Sequence, residues 1–83
     1  MEKLLINLYV SVLLRDYDLL VPQEVKIQKV KDLIADGVAE MSRERFQKSG
    51  NEVLMREGAA KPLHPEKTLY DYDVRDGERL ILI

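Results

Sequence analysis

By residue type, the side chains in this chain best suited to chemistry are His64 and the carboxylates Asp71, Asp73, Asp76 and Glu78. Histidine serves as a general base near neutral pH and as a zinc ligand. His64, however, is the single histidine, and with no cysteine in the chain a zinc site has no partners to build from. A calcium loop needs an Asp-x-Asp-x-Asp-Gly run and a distal glutamate. Asp71-Tyr72-Asp73 lacks both the glycine and the register, and turn chemistry accounts for Asp73 and Asp76. No glycine-rich phosphate loop or nucleophile elbow occurs either. His64 therefore reads as a loop residue between Leu63 and Pro65, and the expectation is a protein that is not an enzyme, with no catalytic, metal or cofactor-binding residue to nominate.

Composition points the same way. At 83 residues the chain is expected to form one domain spanning 1–83, with a single modest core. Hydrophobic residues make up 46% and charged residues 34%, which separates it from both disordered and membrane-spanning chains. Thirteen basic against fifteen acidic groups create no strong field, so a nucleic acid is not an expected partner. The absence of cysteine fits a reducing cytoplasm.

What must position any working surface is a set of short elements. Leu4 to Leu14 is an apolar stretch resembling the core of a signal peptide, but Ile6, Leu8 and Val10 alternate with Asn7, Tyr9 and Ser11, and no small-residue cleavage site follows. It reads as a first strand with Leu4, Ile6, Leu8 and Val10 inward, too short to span a bilayer. After a break at Leu14-Arg15-Asp16, Tyr17–Val21 reads as a second strand stopped by Pro22. From Val25 the period lengthens: Ile27, Val30, Leu33, Ile34, Val38 and Met41 share one helical face, opposite Lys29, Lys31, Asp32 and Asp36. Lys26 stands where a capping residue belongs, and Gly37 is expected to fray or bend the helix. Residues 41–51 extend the helix or form a loop, with Phe46 as a lid on one end of the core. Val53–Met55 reads as a third strand, Glu57–Ala60 as a hairpin turn, Lys61–Leu63 as a fragmentary edge strand and Arg79–Ile83 as the last strand.

Two strands, a helix, two weak strands and a strong final strand make an α+β order, a mixed sheet of four to five strands wrapped on one amphipathic helix. The residues then carry a specific likeness. Val21, Ile27, Val30 and Ile34, followed by Thr68-Leu69-Tyr70-Asp71-Tyr72 and Val74, are similar in spacing to the helix and the Thr-Leu-x-Asp-Tyr corner of ubiquitin, so the fold is expected to be a ubiquitin-like β-grasp. Tyr72 in that corner is suited to pack its ring on the core edge while its hydroxyl bonds a nearby loop backbone. Tyr17-Asp18-Leu19-Leu20-Val21-Pro22, His64-Pro65-Glu66-Lys67-Thr68-Leu69 and Asp76-Gly77-Glu78-Arg79-Leu80 further resemble the YukD/EsaB-type bacterial ubiquitin-like proteins. That resemblance implies a cytosolic accessory or regulator of a Gram-positive type VII (WXG) secretion system, with a protein of the secretion machinery as partner. Lys26 departs from the family pattern and puts the geometry of the helix start in question. A ubiquitin-like tag or sulfur carrier would need a flexible Gly-Gly extension. Here the last residue is Ile83, so a non-conjugating role is expected.

The remaining candidate is surface. With Leu80 and Leu82 inward, Ile81 and Ile83 face the other side of the sheet, where they are joined either by Leu54 or by Val53 and Met55. The expected partner surface is Ile81, Ile83, Leu54, Met55 and Arg79. A plainer reading has Tyr9, Tyr17 and the stems of Arg56 and Arg79 covering this face. An exposed edge strand also offers self-pairing into a homodimer.

Overall fold

The computed structural model describes residues 2–83. In β1 (Lys3–Val10) the buried residues are Leu4, Ile6, Leu8 and Val10, alternating with exposed or half-buried Lys3, Leu5, Asn7 and Tyr9. β2 (Arg15–Pro22) pairs with it antiparallel, from Val10 opposite Arg15 to Lys3 opposite Pro22. The reversal lies earlier than the sequence suggests. It occupies Ser11–Leu14, closed by Leu13 N–H to the Val10 carbonyl (3.1 Å) and Leu14 N–H to the Ser11 carbonyl (3.3 Å). Main-chain bonding makes this turn although its residues are mostly apolar, and Leu14 takes a positive φ of 53° to complete it.

α1 (Ile27–Met41) buries Ile27, Val30, Ile34, Ala35 and Val38 against the sheet. The stripe is narrower than the periodicity implies: Leu33 and Met41 flank it and stay exposed at 44% and 46%, while Ala35 enters the core. The helix does not end or fray at Gly37 and continues to Met41. Lys26 makes no side-chain cap, and the backbone of a distant loop substitutes for one. Ile27 N–H donates to the Lys67 carbonyl (2.7 Å) and Gln28 N–H to the Pro65 carbonyl (3.0 Å), satisfying donors that every helix start leaves open. Beyond the helix, residues 42–53 form turns and loop, over which Phe46 is buried against the core.

β3 (Leu54–Arg56) and β4 (Arg79–Leu82) complete a four-stranded sheet in the order β2-β1-β4-β3. β4 runs parallel to β1 and antiparallel to β3. The expected strand at Lys61–Leu63 does not form. Pro62 has no N–H to give a ladder, and the segment contributes one main-chain bond, Leu63 N–H to the Leu54 carbonyl (2.9 Å), while burying the Leu63 side chain. Gly58 turns the chain with φ +82°, yet β3 finds its partner in β4, so no hairpin results.

The corner before β4 is held locally. Thr68 N–H donates to Asp71 Oδ2 and Asp71 N–H to Thr68 Oγ1, both at 3.0 Å, a reciprocal arrangement of the capping-box kind. Leu69 is fully buried beneath it. Tyr72 packs on the core edge, and its hydroxyl accepts from the His64 N–H at 2.9 Å. Asp76 and Gly77 then lock the register of β4. Leu5 N–H donates to Asp76 Oδ1 (2.9 Å) and Gly77 N–H donates to the Leu5 carbonyl (2.8 Å), with Gly77 at φ +84° where a side chain is strained.

Candidate interaction surface

The register decides what the sheet face opposite the helix carries. Asn7 lies beside Arg79, Tyr9 beside Ile81, and Met55 on the far side of Ile81. Paired residues share a face, so the fully buried Leu80 and Leu82 leave Arg79, Ile81 and Ile83 pointing outward. Leu54 pairs with Leu82 and is 1% exposed. It therefore belongs to the core and leaves the expected surface, whereas Val53 and Met55, both half-buried, take the outer side. Val53 and Ile83 exchange main-chain bonds of 2.9 and 3.0 Å, which carries the pairing to the last residue.

Across this face the apolar groups fall into two clusters. Ile81, Met55, Val53 and the 60%-exposed Ile83 form one. Leu5 and Leu20, directly paired and 47% and 65% exposed, form the other at the opposite end of β1 and β2. Sequence reasoning missed this second pair because Leu20 sits in the run Leu19-Leu20-Val21, where alternation is invisible until the partner strand fixes which residues turn in.

A polar row separates the clusters. Asn7 Nδ2 donates to Asp18 Oδ1 at 3.3 Å. Arg79 reaches Asp16 Oδ1 at 2.9 Å and Glu57 Oε2 at 3.4 Å, and its guanidinium lies 5.0 Å from the centroid of the Tyr9 ring. Such a stacked cation is more fixed than a free one, since the ring face and two carboxylates restrict its rotamers. Tyr9 and Arg79 thus do cover part of the outer face. Tyr17 and Arg56 do not, because both lie on the helix side: Tyr17 packs on the core, and Arg56 pairs with buried Leu80.

Arg56 has a different task. Its Nε and Nη2 meet the two Glu78 oxygens at 2.7 and 2.9 Å, and Nη1 donates to the Tyr72 carbonyl at 2.9 Å. The hydrogen bonds to Glu78 raise its pKa further above an already basic value, so it stays charged and ties the corner to β3 and β4. His64 lies exposed in its loop, where Nδ1 accepts from the Glu66 N–H at 3.1 Å. Among the described residues, no helix is long and apolar enough to cross a membrane.

Comparison with known proteins gives this geometry a context. Residues 5–82 match the family described as "WXG100 protein secretion system (Wss), protein YukD". No curated protein matches the chain at a significant level. Among solved structures, the ubiquitin-like domain of the type VII secretion system protein EccD1 from Mycobacterium tuberculosis superposes with a TM-score of 0.80 at 23% identity, covering 100% of this chain and 99% of that one. The EccD5 ubiquitin-like domain from Mycobacterium xenopi gives 0.84 at 18% identity, over 100% and 94%. The ubiquitin-like domain of Plasmodium falciparum Dsk2 also superposes, with a TM-score of 0.74 at 16% identity over 98% of this chain and 96% of that one. At these identities the superpositions establish a ubiquitin-like fold.

Proposed function

Because this chain belongs to the YukD family of WXG100 secretion-system proteins, we propose that it is a noncovalent interaction module, one ubiquitin-like domain over residues 1–83 that binds a protein component of the secretion machinery in the cytoplasm through its outer sheet face. The observation that carries this reading is the apolar row Ile81, Met55 and Ile83, left without a helix above it and bordered by the fixed Arg79–Tyr9 pair. Exposed apolar area rimmed by ordered polar groups is the usual form of a recognition surface on a small protein. The role is binding rather than catalysis.

The test is a quantitative pull-down from extract of the source cells, with wild type and the double variant Ile81→Ala/Ile83→Ala as bait. Recovery of the secretion component should fall about tenfold, as loss of central apolar contacts implies. The melting temperature should fall by less than about 4 °C, as for substitutions outside a packed core. Equal recovery by both baits would sink the surface assignment. A companion incubation with ATP and extract should leave the intact mass unchanged. A covalent adduct would place the protein among modifiers instead.

A further inference from the structure

On the helix side of the sheet, at the C-terminal end of α1, lies a concavity of about 280 Å³ lined by Leu13, Arg15, Tyr17, Met41, Ser42, Arg43 and Arg45. Three arginines from two distant segments meet there. Arg15 comes from the start of β2, and Arg43 and Arg45 from the turn after the helix, where Arg43 and Glu44 adopt left-handed φ values of 54° and 69°. The other three arginines all have partners: Arg56 meets Glu78, Arg75 meets Asp73, and Arg79 meets Asp16 and Glu57. Among the described residues, none of the three pocket arginines forms a salt bridge or a side-chain hydrogen bond, although Glu40 and Glu44 are close in sequence. All three are exposed, so their charges are solvated and their donors stay open to a ligand from outside.

A plainer account makes the arginines complements to the negative end of the helix dipole. The carbonyls there are already served by the main chain. Ser42 N–H bonds Val38, Arg43 N–H bonds Glu40, and Glu44 N–H bonds Ala39, while the Ser42 hydroxyl donates to Ala39 and accepts from Phe46 N–H. The guanidinium groups are left with donors to spare.

We infer that this pocket is a second binding site, for an acidic peptide segment of a protein partner in which carboxylates alternate with apolar side chains. Arginine forks match carboxylates in bidentate geometry. The apolar half of the match is the pocket's own Leu13, Tyr17 and Met41, continued by Val12 and Leu14, 73% and 76% exposed at the tip of the β1–β2 turn. Charge elsewhere selects against an extended polyanion. Setting aside three of the thirteen basic groups leaves ten against fifteen acidic ones, a net negative remainder that disfavours a membrane surface or nucleic acid spread over the molecule. A short acidic segment meets only the pocket. None of these residues lies on the outer sheet face, so this site stands or falls separately from the one described above.

The test is an amide-resolved NMR titration of the whole chain with the capped heptapeptide Gly-Glu-Leu-Asp-Leu-Glu-Gly. Parallel arms use its Gln/Asn counterpart, inorganic phosphate, and phosphatidylserine vesicles. Shifts centred on residues 13–17 and 41–46 are expected with the acidic peptide, ahead of every other arm. Arg43→Gln/Arg45→Gln should weaken binding about tenfold or more. Arg15→Gln, on a separate element, should weaken it independently if the paired change disturbs the turn. No shift at those amides with millimolar peptide, equal binding by the neutral peptide, or binding unchanged in the arginine variants would overturn the inference. So would phosphate or vesicles equalling the acidic peptide.

Discussion

Glu52 carries more structural weight than its place in a charged loop suggests. Burial works against its charged form, but the Ser49 N–H (2.6 Å), the Ser49 hydroxyl (2.7 Å), its own N–H and the Gly50 N–H (3.2 Å) outweigh that and hold its pKa below the ordinary 4.5. Because the folded value is lowered, the stabilisation is complete above 4.5 and is lost as pH falls through the folded pKa. Glu52→Gln should therefore cost about 1–2 kcal/mol at pH 7, or roughly 5–10 °C in Tm. The gap from wild type should close when melts are repeated at successively lower pH below 4.5. Gly77 is the other residue whose identity is dictated locally. Nothing stands within 4 Å of where a Cβ would be, so Gly77→Ala should cost only the backbone strain of φ +84°, about 1 kcal/mol by denaturant titration. The Asp76-Gly77 turn was readable from residue type. The Glu52 cage was not, since most of its donors are main-chain groups whose direction depends on the loop's path.

At the level of the helix, periodicity located the element and its span and misjudged its flanks. Leu33 fits the apolar stripe by spacing, yet a sheet contacts only a narrow line of a helix, and Leu33 falls beside it next to Leu19, Leu20 and Val25. Gly37 is the clearest consequence. It sits inside a continuous helix with open space around it and no positive φ, so Gly37→Ala should raise stability by about 1 kcal/mol, measurable as a higher urea midpoint. The uncapped start at Lys26 is explained by contacts some forty positions away, because Lys67 and Pro65 carbonyls accept the first helical N–H groups and Glu66 pairs with Lys26 at 3.0 Å. Sequence-local rules look for a cap within one turn and have no access to one supplied by a loop across the fold.

For the molecule as a whole, the two open edges behave differently. β2 presents Asp16, Asp18 and Pro22 along its length, the charges and proline that discourage edge-to-edge pairing. β3 is short, and its free side is partly covered by the Leu63 segment. Self-association through an edge strand is therefore disfavoured, and light scattering should return the mass of one chain across the accessible concentration range. A concentration-dependent doubling abolished by an additional charge in β2 would show the opposite. Core packing is the stronger constraint on the molecule: Leu69, fully buried where the Thr68–Val74 corner meets the sheet, should cost about 2–5 kcal/mol when changed to Ala in a denaturant titration.

The order of residues was enough to establish the helix and the four strands that form, though not that residues 61–63 stay outside the sheet, together with the inward sets of β1 and β4, the Thr68–Tyr72 corner and the likeness to the YukD family, because each rests on contacts or periodicities a few positions long. Tertiary structure alone decided that Leu54 is core while Met55 and Val53 face outward, that Leu5 and Leu20 form a second exposed pair, and that Arg15 meets Arg43 and Arg45. The physical reason is the same in each case. A strand's side chains alternate with a period of two whatever its register, so the choice of face belongs to the partner strand, and the meeting of remote charges belongs to where the chain is turned.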